Sequence, residues 1–271
     1  MNILDEIIAH KHKEVTERRE LYPVKLLEKS LYFDTPCLSL ERYLLRPDKS
    51  GVIAEIKRKS PSKGDINPYV SVERTSIGYM QAGASALSIL TDTNYFGGKN
   101  EDLVTARKYN FCPILRKDFI VDEYQIVEAK SIGADAILLI AAALEPARLK
   151  ELASFARSLG LEVLLEVHNK QELDEKLNEF VTIVGVNNRN LKTFKTDVNL
   201  SFELAHYIPA GITKISESGL SKVETLVELQ QAGYNGFLIG ETFMNDSRPE
   251  RAAAAFIKEL RQLQELKEQT A

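Results

Sequence analysis

Charged side chains lie within or directly after several of the most apolar segments of this chain. Glu55 and Lys57 are two residues apart in VIAEIK, so both side chains face the same side of a strand formed by this segment. Lys117 follows PILR, and Glu166 lies at the end of EVLLEV. Buried ions require a partner or a polar ligand. Ammonium and carboxylate groups in such positions are suited to general acid–base chemistry, and a purely structural ion pair is the alternative.

Amide and small residues follow other apolar segments. Asn187 and Arg189, again two residues apart, follow the apolar segment TIVGV. Residues 216–219 (SESG) and 238–241 (LIGE) each lead into a further polar segment, and Ser60 adds a hydroxyl in the first loop. Small residues at such positions let backbone N–H groups and a helix N-terminus approach an anion. The pattern predicts a phosphate site, with ordinary glycine turns as the alternative.

An internal repeat indicates which elements position these groups. Residues 81–90, 131–140 and 231–240 share a helix end, a Gly and an apolar strand, and residues 158–167 are a looser copy. A unit of roughly 25 residues is one strand plus one helix. Further strands are predicted at 52–57, 112–116, 182–187 and 213–217, which makes eight. They are apolar nearly throughout, as parallel strands covered on both faces are.

Eight alternating strands and helices predict an α/β fold, a (βα)8 TIM barrel with its active site at the carboxyl ends of the strands. A doubly wound open sheet is the alternative, but it usually carries a Gly-rich loop after its first strand, and KRKSPSKGD has a single Gly. Residues 1–50 are predicted to be a helical extension packed on the barrel of residues 51–271, in a single structural domain, because about 50 residues make a poor independent core.

Composition excludes several classes of function. A net charge of −4 argues against a general nucleic-acid binder. The longest apolar run, residues 136–144, is too short to span a bilayer, and the N-terminus lacks the apolar core of a signal peptide, so a cytoplasmic protein is expected. Cys37 and Cys112 show no motif spacing and are predicted to be buried free thiols.

The histidines predict no metal site. His10, His12, His168 and His206 have no ligand spacing, and HKH at 10–12 is expected to lie in a surface helix without a special role.

Eight motifs resemble those of the indole-3-glycerol phosphate synthase family, the barrel enzymes of tryptophan biosynthesis. In order, from about residue 52 to 245, they are EIKRKSPSKG, SILTDTNYFGG, PILRKDFIVDEYQI, DAILLIAAAL, LEVH, GVNNRNL, ISESGL and GFLIGETFM. The resemblance implies a cytoplasmic carboxy-lyase that uses no cofactor and no metal. Its phosphorylated small-molecule substrate is 1-(2-carboxyphenylamino)-1-deoxyribulose 5-phosphate, which loses carbon dioxide and water to become indole-3-glycerol phosphate. A monofunctional enzyme, a monomer or weak homodimer with no nucleic-acid or membrane partner, is expected.

The resemblance also implies roles for the charged residues. Lys117 resembles the general acid for ring closure, Glu166 its acid–base partner, and Glu55 a group that assists the proton transfers. Lys57 resembles the cation beside the substrate carboxylate, and which lysine serves which step stays open. Asn187 and Arg189, by the same resemblance, hold the hydroxyls and the carboxylate region. The phosphate site implied by the family contains Ser60, Ser218, Gly219, Ile239, Gly240 and the backbone of Glu241. The apolar slot for the aromatic ring contains Phe96, Phe119, Leu138 and Leu191.

Two electrostatic expectations follow. Lys57 near Lys117 should depress the ammonium pKa values, while the carboxylates oppose that shift. The carboxylate of Glu241, where some relatives carry a small Ser, should point away from a bound phosphate.

Two other functions compete with the synthase. An isomerase of the same fold would favour a Cys–Asp pair at strand ends, but Cys112 begins its strand. A non-catalytic sugar-phosphate sensor would lack Lys117 or Glu166.

Overall fold

The structure is a computed structural model that describes residues 3–191 and 193–268. Residues 1–2 and 269–271, the outer ends of the two predicted regions, lie outside the described residues. Within the described chain, eight parallel strands pair side by side, and the first pairs with the last to close a barrel. The strands are β1 Val52–Ile56, β2 Ala86–Leu90, β3 Ile114–Lys117, β4 Ala136–Ile140, β5 Glu162–Val167, β6 Ile183–Asn187, β7 Thr213–Glu217 and β8 Gly236–Ile239. The predicted (βα)8 fold is confirmed.

Helices cover the outside of the barrel. They are α4 Val72–Gln81, α5 Asn100–Tyr109, α6 Glu123–Ser131, α7 Pro146–Ser158, α8 Lys170–Lys176, α9 Asn199–Leu204, α10 Val223–Gln231, α11 Glu241–Met244 and α12 Pro249–Glu268. β3 begins at Ile114 and includes Lys117, whereas the sequence predicted residues 112–116. The loop after β1, for which no regular structure was predicted, contains a short antiparallel ladder between Lys59–Ser60 and Gly64–Asp65.

Charged side chains face the barrel interior at the carboxyl ends of the strands, because every second side chain of a strand points inward. Ile53, Leu115, Leu164 and Ile215 are buried in one cluster inside the barrel. Side chains two positions further along a strand face the same way. Those positions are Glu55, Lys117, Glu166 and Glu217. Four charged groups therefore point inward at the carboxyl ends of four strands, where the apolar filling ends.

From residue 3 to the first strand, the structure describes three helices: α1 Ile3–Leu21, α2 Val24–Leu27 and α3 Leu40–Leu44. Leu40 and Leu44 of α3 are buried in the interior cluster that also contains Ile53. At the opposite end of the barrel, Ile3 and Ile7 of α1 line the cavity at the carboxyl ends of the strands. The segment before β1 thus supplies apolar side chains to both ends of the barrel.

The expectation that HKH at 10–12 has no special role is wrong for Lys11. Its side chain is fully buried, and Nζ lies 2.9 Å from Asp92 Oδ2, 2.9 Å from Asp118 Oδ1 and 3.1 Å from Glu14 Oε2. Asp92 and Asp118 follow β2 and β3, so the ammonium fastens α1 to two loops of the barrel. Helical spacing within α1 could not reveal partners that are distant in sequence.

Two further expectations concern the state of the cysteines and the absence of a membrane-spanning segment. Both cysteines are free; Cys112 is buried as predicted, whereas Cys37 is only half-buried. Among the helices that the structure describes, none has both the length and the apolar composition needed to cross a bilayer.

Candidate active site

A cavity at the carboxyl ends of the strands brings together most of the predicted site residues. Twelve of them line it: Glu55, Lys57, Ser60, Phe96, Lys117, Phe119, Leu138, Glu166, Asn187, Arg189, Leu191 and Ser218. Gly219, Ile239, Gly240 and Glu241 are not among the lining residues. Glu217 and Phe194 also line the cavity, although neither was predicted as a site residue.

Lys117 is the centre of a charge cluster that it forms with Glu55, Glu166 and Glu217. Its Nζ lies 2.9 Å from Glu166 Oε2 and 2.6 Å from Glu217 Oε2. Burial alone would lower the pKa of Lys117, but the charges of Glu166, Glu217 and Glu55 outweigh it and raise the pKa above its ordinary value. Of the two opposing effects expected on Lys117, that of the carboxylates therefore prevails.

Lys57 pairs with Glu55 at the wall of the cavity. Lys57 Nζ lies 3.0 Å from Glu55 Oε1, and Ser88 Oγ donates a hydrogen bond of 3.3 Å to Glu55 Oε2. A Cβ atom at Gly240 would collide with the Glu55 carboxylate. Glycine at the end of β8 therefore has a packing reason besides any contact with an anion.

Glu217 is the charged residue that sequence reasoning missed. The sequence predicts a strand at 213–217 and a phosphate site at 216–219, but gives Glu217 no role of its own, although it lies at the carboxyl end of its strand as Glu166 does. A Cβ atom at Gly185 would collide with Glu217 Oε1, so glycine on β6 makes room for this carboxylate. Oε1 is buried and has no hydrogen-bond partner among the described residues.

The pKa values of the two carboxylates that contact Lys117 are shifted in opposite directions. For Glu217, burial and the negative charges of Glu166 and Glu55 outweigh the attraction of Lys117 and raise the pKa to about 7. For Glu166, burial is outweighed by Lys117 and by His168, and the pKa falls below its ordinary value. Glu166 has a second cationic partner, His168, whereas Glu217 has none beyond Lys117 among the residues that the structure describes. The cluster thus contains one carboxylate that stays ionised and one that is easily protonated.

Arg189 connects three loops at the rim of the cavity. Its Nη1 donates to Ser62 Oγ at 2.6 Å, and its Nη2 donates to Glu241 Oε2 at 3.1 Å. Lys63 Nζ lies 3.5 Å from the other oxygen of Glu241. The backbone N–H of Arg189 donates to Asn187 Oδ1 at 3.0 Å. The Glu241 carboxylate is therefore neutralised by two cations, which was not predicted.

The backbone after β7 adopts an unusual conformation beside the cavity. Ser218 and Gly219 both have a positive φ, 71° and 75°. A non-Gly residue in this region is uncommon and marks sites of functional interest. Asn188 Nδ2 donates to the Ser218 carbonyl at 3.1 Å and holds the turn in place.

An apolar slot forms the other side of the cavity. The rings of Phe96 and Phe119 lie 5.8 Å apart at an angle of 35°. Leu138, Leu191 and the unpredicted Phe194 are further apolar residues of the lining. A planar aromatic ring fits such a slot, because offset contacts between rings are favourable.

Comparisons with known proteins identify similar chains. The model of the family described as "Indole-3-glycerol phosphate synthase" matches residues 4–260. A protein of that name from Bacteroides thetaiotaomicron is 48% identical over 95% of this chain and 98% of the relative. One from Magnetococcus marinus is 43% identical over 95% of this chain and 98% of its own. A solved thiamine phosphate pyrophosphorylase from Pyrococcus furiosus has a TM-score of 0.58 at 14% identity, covering 82% of this chain and 99% of that one, which indicates a shared fold only.

Proposed function

The chain belongs to the indole-3-glycerol phosphate synthase family, and from this premise we propose that it is a carboxy-lyase of tryptophan biosynthesis. It converts 1-(2-carboxyphenylamino)-1-deoxyribulose 5-phosphate into indole-3-glycerol phosphate, carbon dioxide and water. The observation that carries this proposal is Lys117, held between Glu166 and Glu217 beside an apolar slot.

Ring closure requires an acid at the ribulose carbonyl. The ring carbon that bears the carboxylate attacks the carbonyl carbon, and Lys117 gives a proton to the carbonyl oxygen. Lys117 is charged at neutral pH and so carries the proton. Its raised pKa makes it a weak acid in the resting site, so the transfer occurs as negative charge develops on the carbonyl oxygen. Carbon dioxide then leaves and its bonding electrons return to the ring.

Dehydration requires an acid and a base together. The hydroxyl formed in the first step leaves as water with a proton from Lys57, and Glu166 removes a proton from the neighbouring carbon. The two lysines give two protons and Glu166 takes one, so each turnover consumes one proton. This balances the loss of a carboxylate as neutral carbon dioxide.

The substrate is held by groups of different chemistry. Its aromatic ring lies in the slot of Phe96, Phe119, Leu138 and Leu191. Asn187 and Arg189 hold its hydroxyls and its carboxylate region, with Lys57 as the cation beside the carboxylate. Its phosphate is bound by Ser60, Ser218 and the backbone N–H groups of Gly219, Gly240 and Glu241, with Ile239 packing behind them. Arg189 and Lys63 keep the Glu241 carboxylate from repelling the phosphate.

A direct assay tests the function. The chain contains no Trp, so indole fluorescence from the product can be measured against a low background. We expect it to appear when micromolar protein is mixed with the carboxyphenylamino substrate. An absence of fluorescence while the substrate still binds would favour a sugar-phosphate sensor.

Replacing Glu217 by Gln is expected to lower kcat by about tenfold or more, because Lys117 loses one of the two groups that aim it. Stability should change in the opposite sense. The pKa of Glu217 is raised in the folded protein, so the stability linked to its protonated form is present below about pH 4.5 and lost as the pH rises through about 7. Glutamine stays neutral, so the variant should melt at the same or a higher temperature at pH 8.

Steady-state kinetics and melting curves at pH 5 and pH 8 measure both effects. Glu203→Gln, an exposed substitution on α9, is the matched control. Wild-type kcat in Glu217→Gln, or a large loss of melting temperature at pH 8, would contradict the prediction.

A further inference from the structure

His168 lies next to the charge cluster but has no role in the proposed chemistry. It follows β5 directly, and its side chain is largely buried between two carboxylates. Nε2 lies 3.3 Å from Glu166 Oε1, and Nδ1 lies 3.1 Å from Glu172 Oε2. The contact with Glu166 is an ion pair without aligned hydrogen-bond geometry.

Glu172, at the start of α8, fixes the imidazole in place. Besides Nδ1, Glu172 Oε2 accepts the backbone N–H of His168 at 2.8 Å. Its other oxygen accepts from Asn169 Nδ2 at 2.8 Å. A carboxylate held by three donors is well ordered, and it orients the ring toward Glu166 in the way that a buried carboxylate orients a catalytic imidazole.

The charge of this arrangement follows from the groups that face the ring. Burial lowers the pKa of His168, but Glu166 on β5 and Glu172 on α8 outweigh it and raise the pKa to about 9. Lys117 on β3 contacts the other oxygen of Glu166. At neutral pH Glu166 therefore has a cation at each of its oxygens.

We propose that His168, oriented by Glu172, is a positioning residue that keeps Glu166 ionised during the reaction. This inference rests on the proposed function. When Lys117 gives its proton to the carbonyl oxygen, it becomes a neutral amine and no longer stabilises the Glu166 carboxylate. The imidazolium at Oε1 remains as a cation. Glu166 thus stays a carboxylate, with a fixed orientation, until it takes the proton in the dehydration step.

His168→Gln tests the proposal because glutamine can still donate a hydrogen bond but has no charge. We expect kcat to fall about tenfold, with KM close to the wild-type value, because Glu166 loses the cation that remains at Oε1 after Lys117 has given its proton; a tenfold change corresponds to about one pKa unit. Wild-type kcat should also decline above about pH 9, where His168 loses its proton. His168→Gln should lack this decline, a change that a purely structural role would not produce. His206→Gln, an exposed substitution, is the matched control.

Glu172→Gln provides a second test if His168→Gln folds poorly. Loss of one carboxylate lowers the pKa of His168, so the alkaline decline of kcat should move to lower pH. An NMR titration of His168 in the free protein measures the same shift without any activity. A His168 titration midpoint near the ordinary value of about 6.5, or a wild-type kcat and pH profile in His168→Gln, would overturn the proposal. An inactive wild-type protein with a titration midpoint near pH 9 would overturn the proposed function instead, and with it the role in catalysis.

Discussion

Replacing Lys117 by Met is expected to lower kcat by about a thousandfold or more while the product still binds, since general acid catalysis contributes up to about four powers of ten. Methionine approximates the length of the lysine side chain but cannot donate a proton. The apolar slot, Arg189 and the phosphate site do not depend on the ammonium. Binding should therefore survive the loss of turnover.

The variant also separates two contributions of the lysine. Without its ammonium, Glu166 and Glu217 face each other without the cation they share, so the pKa of each should rise. A carboxyl that stays protonated near neutral pH cannot serve as the base. We therefore expect that a high substrate concentration does not restore activity. A variant with only a binding defect would regain activity under that condition.

Single-turnover kinetics and fluorescence titration with indole-3-glycerol phosphate measure the two quantities separately. Lys258→Met, an exposed substitution on α12, is the control for loss of a lysine. Full activity in Lys117→Met would refute the assignment of the general acid. Loss of product binding together with turnover would show that Lys117 mainly binds the ligand.

The barrel and much of its charge cluster were predictable from local patterns. Repeated helix–Gly–strand units predicted the closed sheet. Glu55, Lys117 and Glu166 were visible because an ion in or beside an apolar strand requires an explanation. Glu217 has the same signature, and the small residues around it directed attention to phosphate binding instead.

Contacts between distant segments were not predictable from one sequence. Three such contacts exist only in the folded geometry. They are the ion pairs of Lys11, the hydrogen bonds of Arg189 to Ser62 and Glu241, and the ion pair of His168 with Glu166. The net direction of the Lys117 pKa shift was not predictable for the same reason. It depends on how many carboxylates approach the ammonium, and spacing along the chain does not reveal that number.

Lys11 shows how such a contact links the first helix to the active site. Asp92 Oδ1 accepts the backbone N–H groups of Tyr95 and Phe96, at 2.7 and 3.0 Å, and so orders the loop that carries Phe96. Asp118 follows Lys117 directly in sequence. Both carboxylates are buried and lie 2.9 Å from the Lys11 ammonium. One buried cation on α1 thus contacts two loops of the cavity, and we expect the position of α1 and of these two walls to depend on it.

Lys11→Met is therefore expected to lower the free energy of unfolding by about 3–5 kcal/mol, because it leaves buried carboxylates without their cation. In the wild type the pKa of Asp118 is lowered to about 2, so its contribution to stability is present above about pH 4 and lost as the pH falls through 2. The stability of the variant should depend less steeply on pH between about 2 and 4 than that of the wild type. Its KM should be higher. Denaturant unfolding and kinetics measure these effects, with exposed Lys13→Met on the same helix as control. Equal stability of the two variants would mean that α1 is held by its apolar contacts rather than by this ion cluster.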